Sequence, residues 1–146
     1  YVNINNYIFD TVGEFVYKHS SSILIETILQ QEKTSENSMV YINCNKSTIE
    51  LLVVNNGKLQ LFNVFEYHSK EDFIYYVLFV FEQLKLDVES TVIKLSGNID
   101  KDDELYSILY TYVRHIEFIS TEIKFTISNS IENINLHRNF LILNSF

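Results

Sequence analysis

The chain of 146 residues has no proline, alanine or tryptophan, one cysteine, two arginines and three glycines. A lone Cys44 excludes an intramolecular disulfide and any zinc site built on several thiolates, and it fits a reducing, cytoplasmic compartment. Positive charge is equally scarce. Arg114 and Arg138 stand far apart, there is no basic cluster, and the formal net charge is −8, so the surface repels phosphate backbones and nucleic acid is not expected as a partner. The longest apolar run, Phe73–Phe81, has nine residues, against the roughly 20 that a spanning helix needs, so no membrane association is expected and no signal peptide is visible. The chain opens on Tyr1 rather than methionine, which reads as a fragment of a longer protein. The missing residue types, set beside abundant Ile and Asn, read as a nucleotide bias of the source genome.

What is present is ample core material, 47% hydrophobic, enough for one domain or one domain plus a piece of another. The organising stretch is Ser69–Leu86. Ser69 is an N-cap, Asp72 is a short relative of the capping-box Glu, and Glu71 and Asp72 suit the positive end of a helix dipole. These signals predict a helix of about five turns, buried on more than one face, with Glu82–Lys85 as a solvated last turn. Before it, Tyr1–Ile4 reads as extended, Tyr7–Phe15 as a helix despite Gly13, and Val16–His19 as a strand. Ser20–Ser22 offers N-caps for a helix over Ile23–Gln31, with Ile25, Ile28 and Leu29 as its stripe. Glu32–Ser38 is wholly polar and reads as a linker.

From Met39 the pattern changes to strands. Met39–Cys44, Thr48–Val54 and Lys58–Tyr67 form a meander, with a hairpin turn at Asn55-Asn56-Gly57. After the long helix come a strand at Thr91–Ser96 ending on Gly97, a helix over Asp102–Val113, and a strand at His115–Ile119. Ile123, Phe125 and Ile127 alternate, and Leu136–Leu143 reads as a closing helix capped by Asn135. A meander followed by a right-handed crossover sets the fourth strand parallel to the first and beside it, giving the order 3-2-1-4-5 with helices on both faces. The strand-helix-strand-helix segment before residue 39 resembles the second half of the same plan, which predicts a remnant of a first lobe (1–38) and a complete second lobe (39–146).

That order is the ribonuclease-H-like plan, used twice in the actin-like ATPases. Leu61–Leu84, together with His19-Ser20-Ser21-Ser22, Leu95–Asp100 and Tyr112–Phe118, resembles the DUF3822 family. The resemblance implies an actin-like fold and no particular activity. Active members of the actin-like superfamily carry Asp-x-Gly-x-x-Thr at the exit of the first strand, where glycine backbone cradles phosphate and the Asp organises magnesium. The matching stretch here is Asn43-Cys44-Asn45-Lys46-Ser47-Thr48, without the Asp or the Gly. The second exit, Ser96-Gly97-Asn98, keeps one glycine of the usual two. Asn43, Asn45, Lys46, Ser47, Thr48, Ser96, Gly97 and Asn98 are therefore the residues of a degenerate nucleotide site, set against the plainer reading of two turns kept for structure. No resident cofactor is expected, residual ATP or magnesium binding through these residues being the alternative.

Other chemistries fare less well. A ribonuclease-H nuclease needs an Asp on the first strand, where Tyr41 and Asn43 stand. Asp100, Asp102, Asp103 and Glu104 lack EF-hand spacing and read as a solvated helix start. His19, His68, His115 and His137 are dispersed, and His19 before three serines has no Gly-x-Ser-x-Gly elbow. Cys44 reads as a structural thiol. The expected function is a non-enzymatic, degenerate actin-like module for protein interaction, with a protein partner or a second copy meeting residues 1–38 and the aromatic helix 69–86. The alternative is an ATP-binding protein whose catalytic residues lie in an absent N-terminal half.

Overall fold

The computed structural model describes residues 19–120 and 135–145. Along them run α1 (Ser20–Gln31), β1 (Met39–Cys44), β2 (Thr48–Asn55), β3 (Lys58–Glu66), α2 (Lys70–Gln83), β4 (Val92–Gly97), α3 (Glu104–Tyr112), β5 (His115–Phe118) and α4 (Phe140–Leu143). The strand and helix expected within residues 1–15, the strand expected at Val16–His19 except for His19 itself, and the alternation at Ile123, Phe125 and Ile127 lie outside the described residues.

The strands form one five-stranded sheet in the order β3-β2-β1-β4-β5. β1 is antiparallel to β2 and β2 to β3, while β1–β4 and β4–β5 are parallel. β1 and β2 are near-continuous apolar runs because they are central and covered on both faces. Alternation along the strands then divides the core in two. Val40, Ile42, Ile49, Leu51, Ile93 and Leu95 meet Phe73, Val77, Val80 and Phe81 of α2 and Leu109 of α3. On the opposite face Tyr41, Leu52 and Val54 meet Leu24 and Ile28 of α1 and Phe140 of α4.

Local chemistry explains most element ends. Ser69 caps α2, its hydroxyl accepting the Asp72 N–H at 3.2 Å, while the Asp72 carboxylate accepts from the His68 N–H at 3.0 Å, one residue earlier than a capping box would reach. α2 stops at Gln83, shorter than expected. Lys85 adopts φ 55° and the N–H groups of Lys85 and Leu86 bond to the carbonyls of Glu82 and Phe81, a Schellman motif in which lysine stands where glycine is usual. Leu84 packs on the core rather than lying in a solvated turn. The β2–β3 turn is Asn56-Gly57, with φ of 50° and 68°, so β2 runs one residue further than expected.

Three helix starts differ from expectation. His19, not a serine, caps α1: its Nδ1 accepts the Ser21 N–H at 3.3 Å, and the serines form the first turn. α3 begins at Glu104 because Asp103 is extended and its carboxylate accepts the Asp100 N–H at 2.8 Å. α4 begins at Phe140, not Leu136. Asn135 to Asn139 make a turn instead, because His137 is drawn into tertiary bonds: its carbonyl takes the Gly97 N–H at 2.8 Å and its Nε2 lies 2.7 Å from the Ile99 carbonyl.

Candidate functional site

The parallel pairing of β1 and β4 aligns Asn43 with Ser96 and Cys44 with Gly97, so two of the loops singled out in the sequence leave the sheet side by side. Asn43 and Ser96 are both buried. The Ser96 hydroxyl donates to Asn43 Oδ1 at 3.0 Å, and Asn43 Nδ2 donates to Glu50 Oε2 at 2.7 Å. Ser21 in the first turn of α1 donates its hydroxyl to Glu50 Oε1 at 2.5 Å. A continuous chain of polar groups, Ser21–Glu50–Asn43–Ser96, thus crosses three strands on the face that α1 covers. Buried polar groups must find partners, and these find one another.

The backbone at the exits is similarly engaged. The Asn98 N–H bonds to the Cys44 carbonyl at 2.7 Å, the Gly97 N–H to His137, and the Asn45 N–H to the Thr48 carbonyl at 2.8 Å. The carbonyls of Asn45 and Ser47 are held by the hydroxyl and N–H of Tyr67 at 2.7 and 3.0 Å. Gly97 has φ +83°, and a Cβ there would sit 2.2 Å from the Cys44 carbonyl oxygen and 2.8 Å from Asn43 Oδ1. Close approach of two parallel strand ends accounts for this glycine. Asn43, Ser96, Gly97 and Asn98 are therefore brought together. Asn45, Lys46 and Ser47 form the exposed tip of the β1–β2 loop, and Thr48 opens β2 opposite Glu66.

Cys44 is fully buried, and burial, with Asp103 adding to it, pushes its thiol up to about 12. The acidic group divides rather than converges. Asp100 binds Arg138 and, at 3.2 Å, His137; the Arg138 bond holds its carboxyl below the usual range, against a smaller cost of desolvation. Glu104 lies 3.7 Å from Lys70, and Asp103 serves the Asp100 backbone. Among the described residues no three His, Cys, Asp or Glu side chains gather as a metal site.

A second buried polar group was not foreseen. Glu32, assigned to a linker in sequence, is buried; it accepts the Tyr41 hydroxyl and, at 2.8 Å, the Lys94 ammonium, which lies 5.5 Å from the Tyr41 ring centre. Burial pushes the Glu32 carboxyl up, but the hydrogen bonds from Lys94 and Tyr41 outweigh it and hold the group below its ordinary value. Tyr41 is raised, first by burial and then by Glu32. Beside this pair a cavity of about 450 Å³ is lined by Thr27, Gln30, Lys94, Ser120 and Asn144 among others. Glu50 and Lys94 carried a legible signal, each being a charge within an apolar strand; Glu32, in a wholly polar stretch, and His137 carried none.

Comparison with known proteins bears on this geometry. The family model described as protein of unknown function, DUF3822, matches residues 1–116. No curated protein matches. Among solved structures the chain is similar to a Bacteroides thetaiotaomicron protein of actin-like ATPase fold and unknown function, with TM-score 0.69 and 24% identity, over 79% of this chain and 45% of that one. It is also matched to the AlfA filament bound to AMPPNP, with TM-score 0.43 and 15% identity, over 62% of this chain and 34% of that one. The first likeness, with the strand order, shows an actin-like ATPase fold. The chain spans less than half the length of either structure.

Proposed function

The chain belongs to the DUF3822 family of proteins of unknown function, and from that premise we propose that it is a degenerate actin-like module serving protein–protein interaction rather than nucleotide hydrolysis. The observation that carries the reading is the occupied notch between β1 and β4. Where the superfamily places a carboxylate for magnesium, Asn43 is locked between Glu50 and Ser96. Three N–H groups at the two exits, those of Asn45, Gly97 and Asn98, are committed to protein carbonyls, and a phosphate would have to displace them. Titration of the full-length source protein with Mg-ATP by calorimetry tests this. No heat of binding and no phosphate release are expected; micromolar affinity with turnover overturns the reading.

The competing reading is an ATP-binding protein whose catalytic residues lie in a further N-terminal half. It draws on the chain's coverage of 45% of its structural neighbour and on the exposed side chains of Lys46 and Ser47 at the loop tip. The same titration separates the two, with Lys46→Ala as the diagnostic variant.

A further inference from the structure

Among the described residues β3 is an edge strand, hydrogen-bonded to β2 alone. It is nine residues long, with Val64 47% and Leu59 37% exposed. The Val64 N–H is bound by the side chain of its own neighbour, Asn63, at 2.9 Å, a local cap on an edge group that a further strand would satisfy. From this edge a run of rings climbs onto α2. Phe65 stacks on Tyr76 at 4.7 Å between centroids, Tyr76 meets Tyr75 at 5.6 Å, and Tyr75 meets Phe79 at 6.3 Å. Tyr75 is 63% and Phe79 45% exposed. Glu71 precedes Tyr75 by one helical turn and Glu82 follows Phe79 by three residues. These two exposed carboxylates make no ion pair among the described residues, whereas Lys70, Lys94 and Arg138 are each paired to an acid elsewhere. The cation of the edge strand, Lys58, stands at its start, seven residues before Phe65.

We propose that this edge takes an extended, basic segment of a partner protein as a sixth strand, docked along β3 and under the rings of α2. The inference rests on the interaction reading above and names its surface. Pairing with β2 sets Phe62 and Val64 on the α1 face and Leu61 and Phe65 on the α2 face. An added strand alternates in the same way. Its side chains on one face meet Val64 and Phe62 and are apolar. Those on the other meet rings and unpaired carboxylates and are Lys or Arg, held by cation–π and ionic contact. A second copy of the chain fits less well, because it brings the same carboxylates and another net −8 to the contact.

The probe is a nine-residue peptide alternating lysine and valine, with blocked ends, beside a version with glutamate for lysine. Binding followed by amide shifts should perturb residues 61–66 and 75–79, and weaken with salt. Tyr75→Ala with Phe79→Ala, and separately Glu71→Lys with Glu82→Lys, should each cost about tenfold or more in affinity; all four positions are exposed, and unchanged melting verifies the fold. Equal binding of the glutamate peptide, no binding of the lysine one, or shifts confined to other surfaces overturns the proposal. So does sedimentation showing a dimer that Val64→Pro abolishes, which places a second copy on the edge. If a natural partner is still held by the Tyr75→Ala, Phe79→Ala chain, interaction stands and this surface falls. If Mg-ATP turns over while the peptide binds as expected, the surface stands and the non-enzymatic reading falls.

Discussion

A methyl group added at Gly97 would collide with the Cys44 carbonyl across the β1–β4 pair, on a backbone already at φ +83°. Both costs fall on the folded state, so Gly97→Ala is expected to lose about 3 kcal/mol, read as a lower urea midpoint at unchanged slope. Cys44 is the other residue whose role is settled by its surroundings. With its thiol buried and pushed up to about 12, the thiolate is scarce at neutral pH and reagents cannot reach it. Native protein is expected to stay unmodified by an aromatic disulfide reagent and to react fully once unfolded. Fast native reaction would revive a nucleophilic role for this cysteine. His19, the other side chain weighed for catalysis, accepts an N–H at a helix start, which is what a cap does.

Among the elements, α2 shows how far local signals reach. Its start was plain, because Ser69 followed by Glu71 and Asp72 can do little else at the head of an apolar run. Its end was hidden, because a Schellman turn on lysine has no composition to mark it. Lys85→Gly is expected to raise stability by about 0.5–1 kcal/mol, since glycine takes φ 55° without the cost a Cβ imposes. Thermal unfolding measures it, and no gain would mean the Lys85 side chain contributes more than its backbone loses. The closing helix shows the reverse case. Leu136 to Leu143 favours a helix on local grounds, but the bonds from His137 to Gly97 and Ile99 hold its first half as a turn.

In the molecule as a whole, α1 and the segment after it are tied to the sheet by Leu24 and Ile28 in the core and by Glu32 on Lys94 and Tyr41. This tie is pH-sensitive in a definite direction. The Glu32 carboxyl lies below its ordinary 4.5 when folded, so its contribution is present above that pH and disappears as pH falls through the folded value. Glu32→Gln is therefore expected to cost about 1–3 kcal/mol at pH 7 and progressively less below pH 4.5. Urea midpoints of both proteins across pH 3–7 would check it; a constant difference would mean that packing, not charge, holds the segment. The described helices show none long and apolar enough to cross a membrane.

Strand order, the two-faced core and the β1–β4 alignment were legible in the chain itself. Period-two burial, an Asn-Gly turn and the rule for crossovers leave few other arrangements for Met39–Phe118. So was the absence of a carboxylate at position 43. What only the folded molecule decided was the use made of isolated charges. Glu50 stands out as a charge in an apolar strand and Glu32 is lost in a polar stretch, but neither position reveals its partner, which lies 29 and 62 residues away, Ser21 for Glu50 and Lys94 for Glu32. Hydrogen bonds of that range cost chain entropy to close and leave no local pattern, so tertiary packing alone could assign them.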